Sequence, residues 1–167
     1  TASTEVFTAY WVGECNLTGN HDLSMLTELG GSVIINDNIN LTSISFPLTT
    51  QTFENTNSSP NGRALSLHDC GLDYVNFLPL SGATMDVGAW YGASIGLEDN
   101  GMSIGEVNHI LVDFSGMSNT YNPAGWTGVT LDISGTNAAP DSSGGYDGLA
   151  ALASLTNVTN NWNITIS

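Results

Sequence analysis

The sequence predicts an α/β repeat solenoid, a stack of short parallel strands with mixed short helices and irregular loops on its convex side. Three observations carry this expectation. An apolar-x-apolar-x-x-(Asn/Cys) frame returns along the chain, several segments between its copies carry helix-capping signals, and the remaining stretches have turn composition.

The frame is plainest in "ALSLHDCGL" (64–72) and returns at "YWVGECNL" (10–17), "VIINDNINL" (33–41), "SIGLEDNGM" (94–102) and, more loosely, "VTLDISGT" (129–136). A last "ITI" (164–166) begins a sixth copy. Its leading apolar residues are Tyr10, Val33, Leu65, Ile95, Val129 and Ile164, at intervals of 23, 32, 30, 34 and 35, within the range of stacked repeats. A strand that alternates apolar and polar residues has one face to bury and cannot shelter it alone, whereas stacked parallel copies can. The expected organisation is one domain over 1–167 with about five and a half repeats.

Return segments must then cross the other side. "HDLSMLTELGG" (21–31) reads as a short helix with Asp22 as N-cap, Leu23, Leu26 and Leu29 on one face and Gly30 as its stop. "SIGEVNHILVDF" (103–114) offers a Ser103/Glu106 capping box with Ile104, Val107 and Leu111 on a common face. "YDGLAALASL" (146–155) is the third candidate, with Asp147 near its start. "TTQTFENTNSSPNG" (49–62) and "NAAPDSSGG" (137–145) read as loops.

This frame resembles the leucine-rich repeat, whose consensus runs L-x-x-L-x-L-x-x-(N/C)-x-L. The Asn/Cys column reads Cys15, Asn38, Cys70, Asn100 and Ser134, and only Ser134 departs. Leu41, Ile44 and Phe46 after one frame, and Leu72, Val75 and Phe77 after another, continue the likeness, and "NLTSISFP" (40–47) is similar to irregular leucine-rich repeats of bacterial surface proteins. The resemblance covers residues 9–167 and implies short strands, each followed by a turn held by a buried Asn or Cys, in a protein of the cell surface.

Sixteen acids face one base, Arg63, for a formal net charge of -15. So negative a chain is a poor partner for nucleic acid or for anionic membrane surfaces, and suits divalent cations or basic partners. No apolar run is long enough for a membrane span, and the chain opens without a basic-then-apolar secretion signal, so a signal is expected either to have been cleaved or never to have been needed. Asn-X-Ser/Thr triplets at Asn16, Asn40, Asn57, Asn157 and Asn163 are candidate glycosylation sites of an exported protein, although a chain this rich in Asn, Ser and Thr yields about four by composition alone.

His68, Asp69 and Cys70 are adjacent, which invites a cysteine-nucleophile reading. Within the frame, Leu67 and Cys70 turn inward while His68 and Asp69 end the exposed strand, so the thiol is expected to be buried and inert. Cys15 and Cys70 occupy one column two rungs apart, about 9–10 Å at interstrand spacing, beyond disulfide reach. The residue before the column reads Glu14, Asp37, Asp69 and Asp99, a file of carboxylates about 4.8 Å apart that repel one another and are candidate oxygen ligands for calcium. Trp11, His68, Glu98 and Asp132 are candidate ligand-binding residues on the same face. No zinc-ligand spacing, phosphate loop or nucleophile elbow occurs, and the expected flat strip lacks the enclosure that catalysis wants, so an enzyme is not expected.

Neither end of the chain reads as a polar cap, and two different sticky ends joined head to tail make an open filament. The leading expectation is therefore a non-enzymatic extracellular structural subunit, self-associating through its ends into a fibre or a surface or virion appendage. The alternatives are an adhesive or cation-binding module using the acidic concave face, and a donor-strand-exchanged pilin in which "TASTEVFTAYWV" (1–12) completes a neighbour's sandwich.

Overall fold

The computed structural model describes residues 9–27, 29–53, 63–86 and 94–167. Its strands are β1 (Ala9–Trp11), β2 (Thr18–Asp22), β3 (Ser32–Ile34), β4 (Asn40–Ser45), β5 (Thr52–Phe53), β6 (Leu65–Ser66), β7 (Thr84–Met85), β8 (Ser94–Gly96), β9 (Thr130–Asp132) and β10 (Asn163–Thr165); its helices are α1 (Ile104–Gly116) and α2 (Gly148–Leu155). Among the described residues one six-stranded sheet runs β1-β3-β6-β8-β9-β10, in chain order, and every neighbouring pair is parallel. β2 pairs with β4 and β5 with β7, again in parallel.

Tyr10, Val33, Leu65, Ile95, Leu131 and Ile164 stand in register across the sheet. Val33, Leu65, Ile95 and Leu131 are buried, as are Ile35, Leu67, Leu97 and Ile133 two positions later, so one sheet face forms a wall of the core. The frame expected to begin at Val129 therefore begins at Leu131. "VTLDI" places three apolar residues at alternate positions, and a slip of two leaves each side chain on its own face, so periodicity alone does not distinguish the registers.

The column residue moves three places, one more than the strand register, because the last turn holds one extra residue. Asn137, rather than Ser134, closes it: its Oδ1 accepts from the Asn100 and Met102 amides at 3.2 and 3.1 Å, and its Nδ2 donates to Leu97 O and Ile133 O at 2.8 and 3.2 Å. Asn100 repeats this one rung earlier, accepting from the Cys70 and Leu72 amides and donating to Leu67 O and Leu97 O. Asn38 does so again, with Cys15 N, Leu17 N, Val12 O and Asn36 O. All three side chains are buried, and each satisfies backbone groups that the turns would otherwise strand away from water. Ser134 instead donates to Asp132 Oδ1 at 2.6 Å.

The other side of the core is extended near the N-terminal half and helical near the C-terminal half. The helix expected over 21–31 is absent: the chain is strand through Asp22, hydrogen-bonded along β4, and turns at Leu23–Leu26, where Asp22 Oδ1 accepts from Ser24 N. The three-residue spacing of its leucines is helix-like, but long-range pairing with Asn40–Ser45 prevails. The other two helices form. α1 opens with Glu106 Oε2 accepting from Ser103 N at 2.6 Å, and α2 with Asp147 Oδ1 accepting from Ala150 N at 2.9 Å. They pack on each other, and Phe77, Phe114, Trp126 and Trp162 fill the space beneath them with ring centroids 4.8–6.4 Å apart. Trp90 and Asn57 lie outside the described residues.

Candidate functional site

The sheet face opposite the core carries the candidate site, because residues one and three places after each inward apolar residue point away from the core. The first file reads Trp11, Ile34, Ser66, Gly96 and Asp132; the second reads Gly13, Asn36, His68, Glu98 and Ser134. Asp132 thus stands in the file of Ser66 and Gly96, whereas the frame begun at Val129 sets it in the file of His68 and Glu98; the two-residue shift of that frame makes the difference.

Arg63 precedes β6 and crosses this face. Its Nη1 binds Glu98 Oε1, and its Nη2 lies 3.6 Å from Asp132 Oδ2. Gly96 makes the crossing feasible, since a Cβ there would overlap the guanidinium. Part of the strip is a shallow, open hollow of about 360 Å³ lined by Arg63, His68, Asp69, Glu98 and Asp99. A larger hollow of about 480 Å³ is bordered by Thr27, Leu48, Gln51 and Pro79, with no ionisable side chain among the described residues that line it.

Three buried polar atoms on this face have no hydrogen-bond partner: Asn36 Oδ1, Ser66 Oγ and Glu98 Oε2. Asn36 is 9% exposed and Ser66 fully buried. His68 Nδ1 lies 2.7 Å from Asp69 Oδ2, which orients the imidazole along the wall of the hollow. At the other end of the face Trp11 is 64% exposed. Gly13 lets it approach Asn36, for a Cβ there would stand 2.9 Å from the indole nitrogen and 3.0 Å from Asn36 Oδ1. The structure thus brings His68 and Glu98 into one hollow, ties Asp132 to it through Arg63, and sets Trp11 on the same face three strands away.

The carboxylate file has a backbone cause. Glu14, Asp37, Asp69 and Asp99 all adopt left-handed conformation, with φ between 50 and 58°, and Gly135 takes that role in the last full rung at 78°. Asp tolerates this region better than most residues. Their side chains go to separate local partners: Asp37 to Asn36 Nδ2, Asp69 to His68, and Asp99 to the Thr136 amide. Among the described residues no three His, Cys, Asp or Glu side chains gather as a metal set.

The two cysteines are free thiols, Cys15 exposed and Cys70 buried. Cys70 Sγ donates to Ile35 O and His68 O, the role the amide nitrogen plays in the Asn rungs, and burial pushes its pKa up to about 11. It is a ladder residue, turned away from the His68 ring. Asn16, Asn40, Asn157 and Asn163 are exposed, with Asn40 Nδ2 donating to Asn16 Oδ1 at 3.0 Å.

Sequence reasoning missed the parts played by Arg63, Asn36, Ser66 and Gly96. Arg63 was visible as the single base, but nothing local shows that it reaches over a strand 33 residues on. It also missed a cluster on the helical side. His109 stacks between Tyr74 and Tyr146, with centroids 3.9 and 3.8 Å away, and the Tyr74 hydroxyl donates to Asp113 Oδ2 at 2.6 Å. Burial raises the Asp113 pKa; burial and that carboxylate raise Tyr74. The four residues at His109–Asp113 spacing were the available signal. Asn108, one residue before His109, ties the same loop down through two bonds to Asp141 and one to Ser143 O, so this cluster reads as a joint between loop and helix.

Among the described residues no helix is long and apolar enough to cross a membrane. No family model matches the chain, and no match emerges among curated proteins or solved structures.

Proposed function

We propose that the chain is a non-enzymatic recognition module, a leucine-rich-repeat-like stack whose outward sheet face holds a polar ligand between Trp11 and Glu98. The observation that carries this reading is the hollow on that face, where the Arg63 guanidinium, paired with Glu98, stands beside His68, Asp69 and Asp99. The hollow gives a polar ligand room beside paired charges and an imidazole that can hydrogen-bond it. Exposed Trp11 adds an amphipathic contact surface at the far end.

Biolayer interferometry against immobilised peptides and oligosaccharides tests the reading. A bound ligand is expected whose affinity falls at least tenfold with Glu98→Gln and is unchanged by Val158→Ala, remote from this face. A panel without a hit, or a hit indifferent to Glu98→Gln, removes it.

A second reading, the filament, draws support from the sheet edges. β1 and β10 are the opposite outer strands of a parallel sheet, and each has one neighbour among the described residues. A β10 edge docked on a β1 edge of the next copy continues the sheet head to tail. Light scattering that finds a stable monomer at high concentration excludes this second reading. The donor-strand pilin loses support, since it needs antiparallel strands and every pair described is parallel.

A further inference from the structure

We infer that Asn100 is a latent modification site: the Asn100–Gly101 pair deamidates without an enzyme, only when its turn opens, and the product does not return to the ladder. This holds independently of what the outward face binds.

The fold itself sets the two residues side by side. The ladder needs an amide at 100, because that side chain both accepts, from Cys70 N and Leu72 N, and donates, to Leu67 O and Leu97 O. The next residue has a φ of 72°, the left-handed region that glycine adopts at least cost. Asparagine is among the chemically labile residues, and a following glycine, with no side chain, leaves its amide nitrogen free to reach the asparagine carboxamide carbon. Among the described ladder residues Asn100 alone combines the two features. Asn38 and Asn137 precede Ile39 and Ala138, and Cys70, which precedes Gly71, has no amide to lose.

Water is the one outside reagent that the reaction needs. The Gly101 nitrogen forms a bond to Asn100 Cγ, the Cγ–Nδ2 bond breaks, and ammonia leaves with the proton from Gly101 N. Water then opens the cyclic imide to aspartate or isoaspartate. In the closed turn each participant is held: Gly101 N donates to Thr136 Oγ1 at 3.1 Å, the Asn100 carboxamide is fixed by its backbone partners, and the residue is 7% exposed. Reaction therefore follows the population of the open turn. Aspartate at this position has oxygens for the Cys70 and Leu72 amides but, once ionised, no donor for the two carbonyls, and its charge is buried; isoaspartate also lengthens the backbone of the turn. A turn that has opened long enough to react is thereby barred from closing as before.

The test is incubation of the intact chain in mildly alkaline buffer, with and without urea beyond its unfolding transition. Peptide mapping by mass spectrometry separates Asn100 from the second Asn-Gly pair, Asn61–Gly62, which lies outside the described residues. Conversion at Asn100 is expected to be at least tenfold faster in urea than in the native protein, and equal rates overturn protection by the fold. Gly101→Ala, compared in urea where its own stability does not matter, is expected to slow conversion at least tenfold; an unchanged rate overturns the part given to Gly101. On dilution from urea, modified chains are expected to be depleted at least tenfold from the refolded fraction. Refolding in proportion to their abundance overturns the irreversibility. Asn100→Asp supplies the product directly, so that claim is tested even where refolding fails for other reasons: the variant is expected to unfold at lower urea than the native chain, and an unchanged midpoint overturns it.

Discussion

The Arg63 guanidinium lies across the bare Cα of Gly96, which holds it against Glu98 and Asp132. Gly96→Ala is therefore expected to push the guanidinium off its carboxylates and leave Glu98, whose side chain is 16% exposed, without its partner. The expected cost is about 1–3 kcal/mol, or about 2–4 °C in Tm for each kcal/mol. A double-mutant cycle checks the cause: in an Arg63→Ala background the same substitution is expected to be nearly neutral. An undiminished penalty there places the strain in the strand backbone instead.

The asparagine ladder makes a larger claim on stability. Asn100→Ala strands the Cys70 and Leu72 amides and the Leu67 and Leu97 carbonyls, all tied by one side chain in the native protein. At about 1–3 kcal/mol for a buried group left unmade, two amides lost together bring the expected destabilisation to several kcal/mol, measured by urea unfolding. Ser134→Ala, on the residue the repeat frame first suggested, is expected to cost under about 1 kcal/mol, since it loses a partly exposed bond to Asp132.

These two substitutions also mark how far the sequence reaches. Apolar alternation was enough to place Tyr10, Val33, Leu65 and Ile95 as equivalent positions, because each rung must bury the same face. It failed at Val129 against Leu131, where both choices bury that face equally well; that slip displaced Asp132, and one extra residue in the last turn put Asn137 in place of Ser134. Leu23, Leu26 and Leu29 suggested a helix because local spacing says nothing of a strand partner twenty residues on. His68, Glu98 and Trp11 were legible as outward residues. The hollow beside His68 and Glu98 was not, since it depends on Arg63 reaching over Gly96.

Cysteine labelling separates the two ladder thiols. Cys15 is exposed, while Cys70 is buried and its pKa of about 11 leaves only about one thiolate in ten thousand at neutral pH. A thiol-reactive reagent is expected to modify one cysteine quickly in the native protein and the second only on unfolding, with the fast product mapped to Cys15 by mass spectrometry. Fast modification of Cys70 contradicts its place in the ladder.

The aromatic joint on the helical side gives stability a pH dependence of definite sign. Asp113 is buried on α1 beside Tyr74 and His109, with Tyr146 stacked on His109, and burial lifts its pKa above that of the unfolded chain. A group with a raised folded pKa holds its proton more tightly when folded, so its contribution is complete below the ordinary carboxylate range and is lost as pH rises through the raised value. Asp113→Asn keeps an oxygen to accept the Tyr74 hydroxyl and carries no charge to desolvate. Thermal melts between about pH 3 and pH 8 are expected to show the variant gaining on the native protein as pH rises, with the higher Tm at the alkaline end. A variant less stable at every pH shows instead that the ionised carboxylate, with its bond from Tyr74 and its charge near His109, outweighs the cost of burying it.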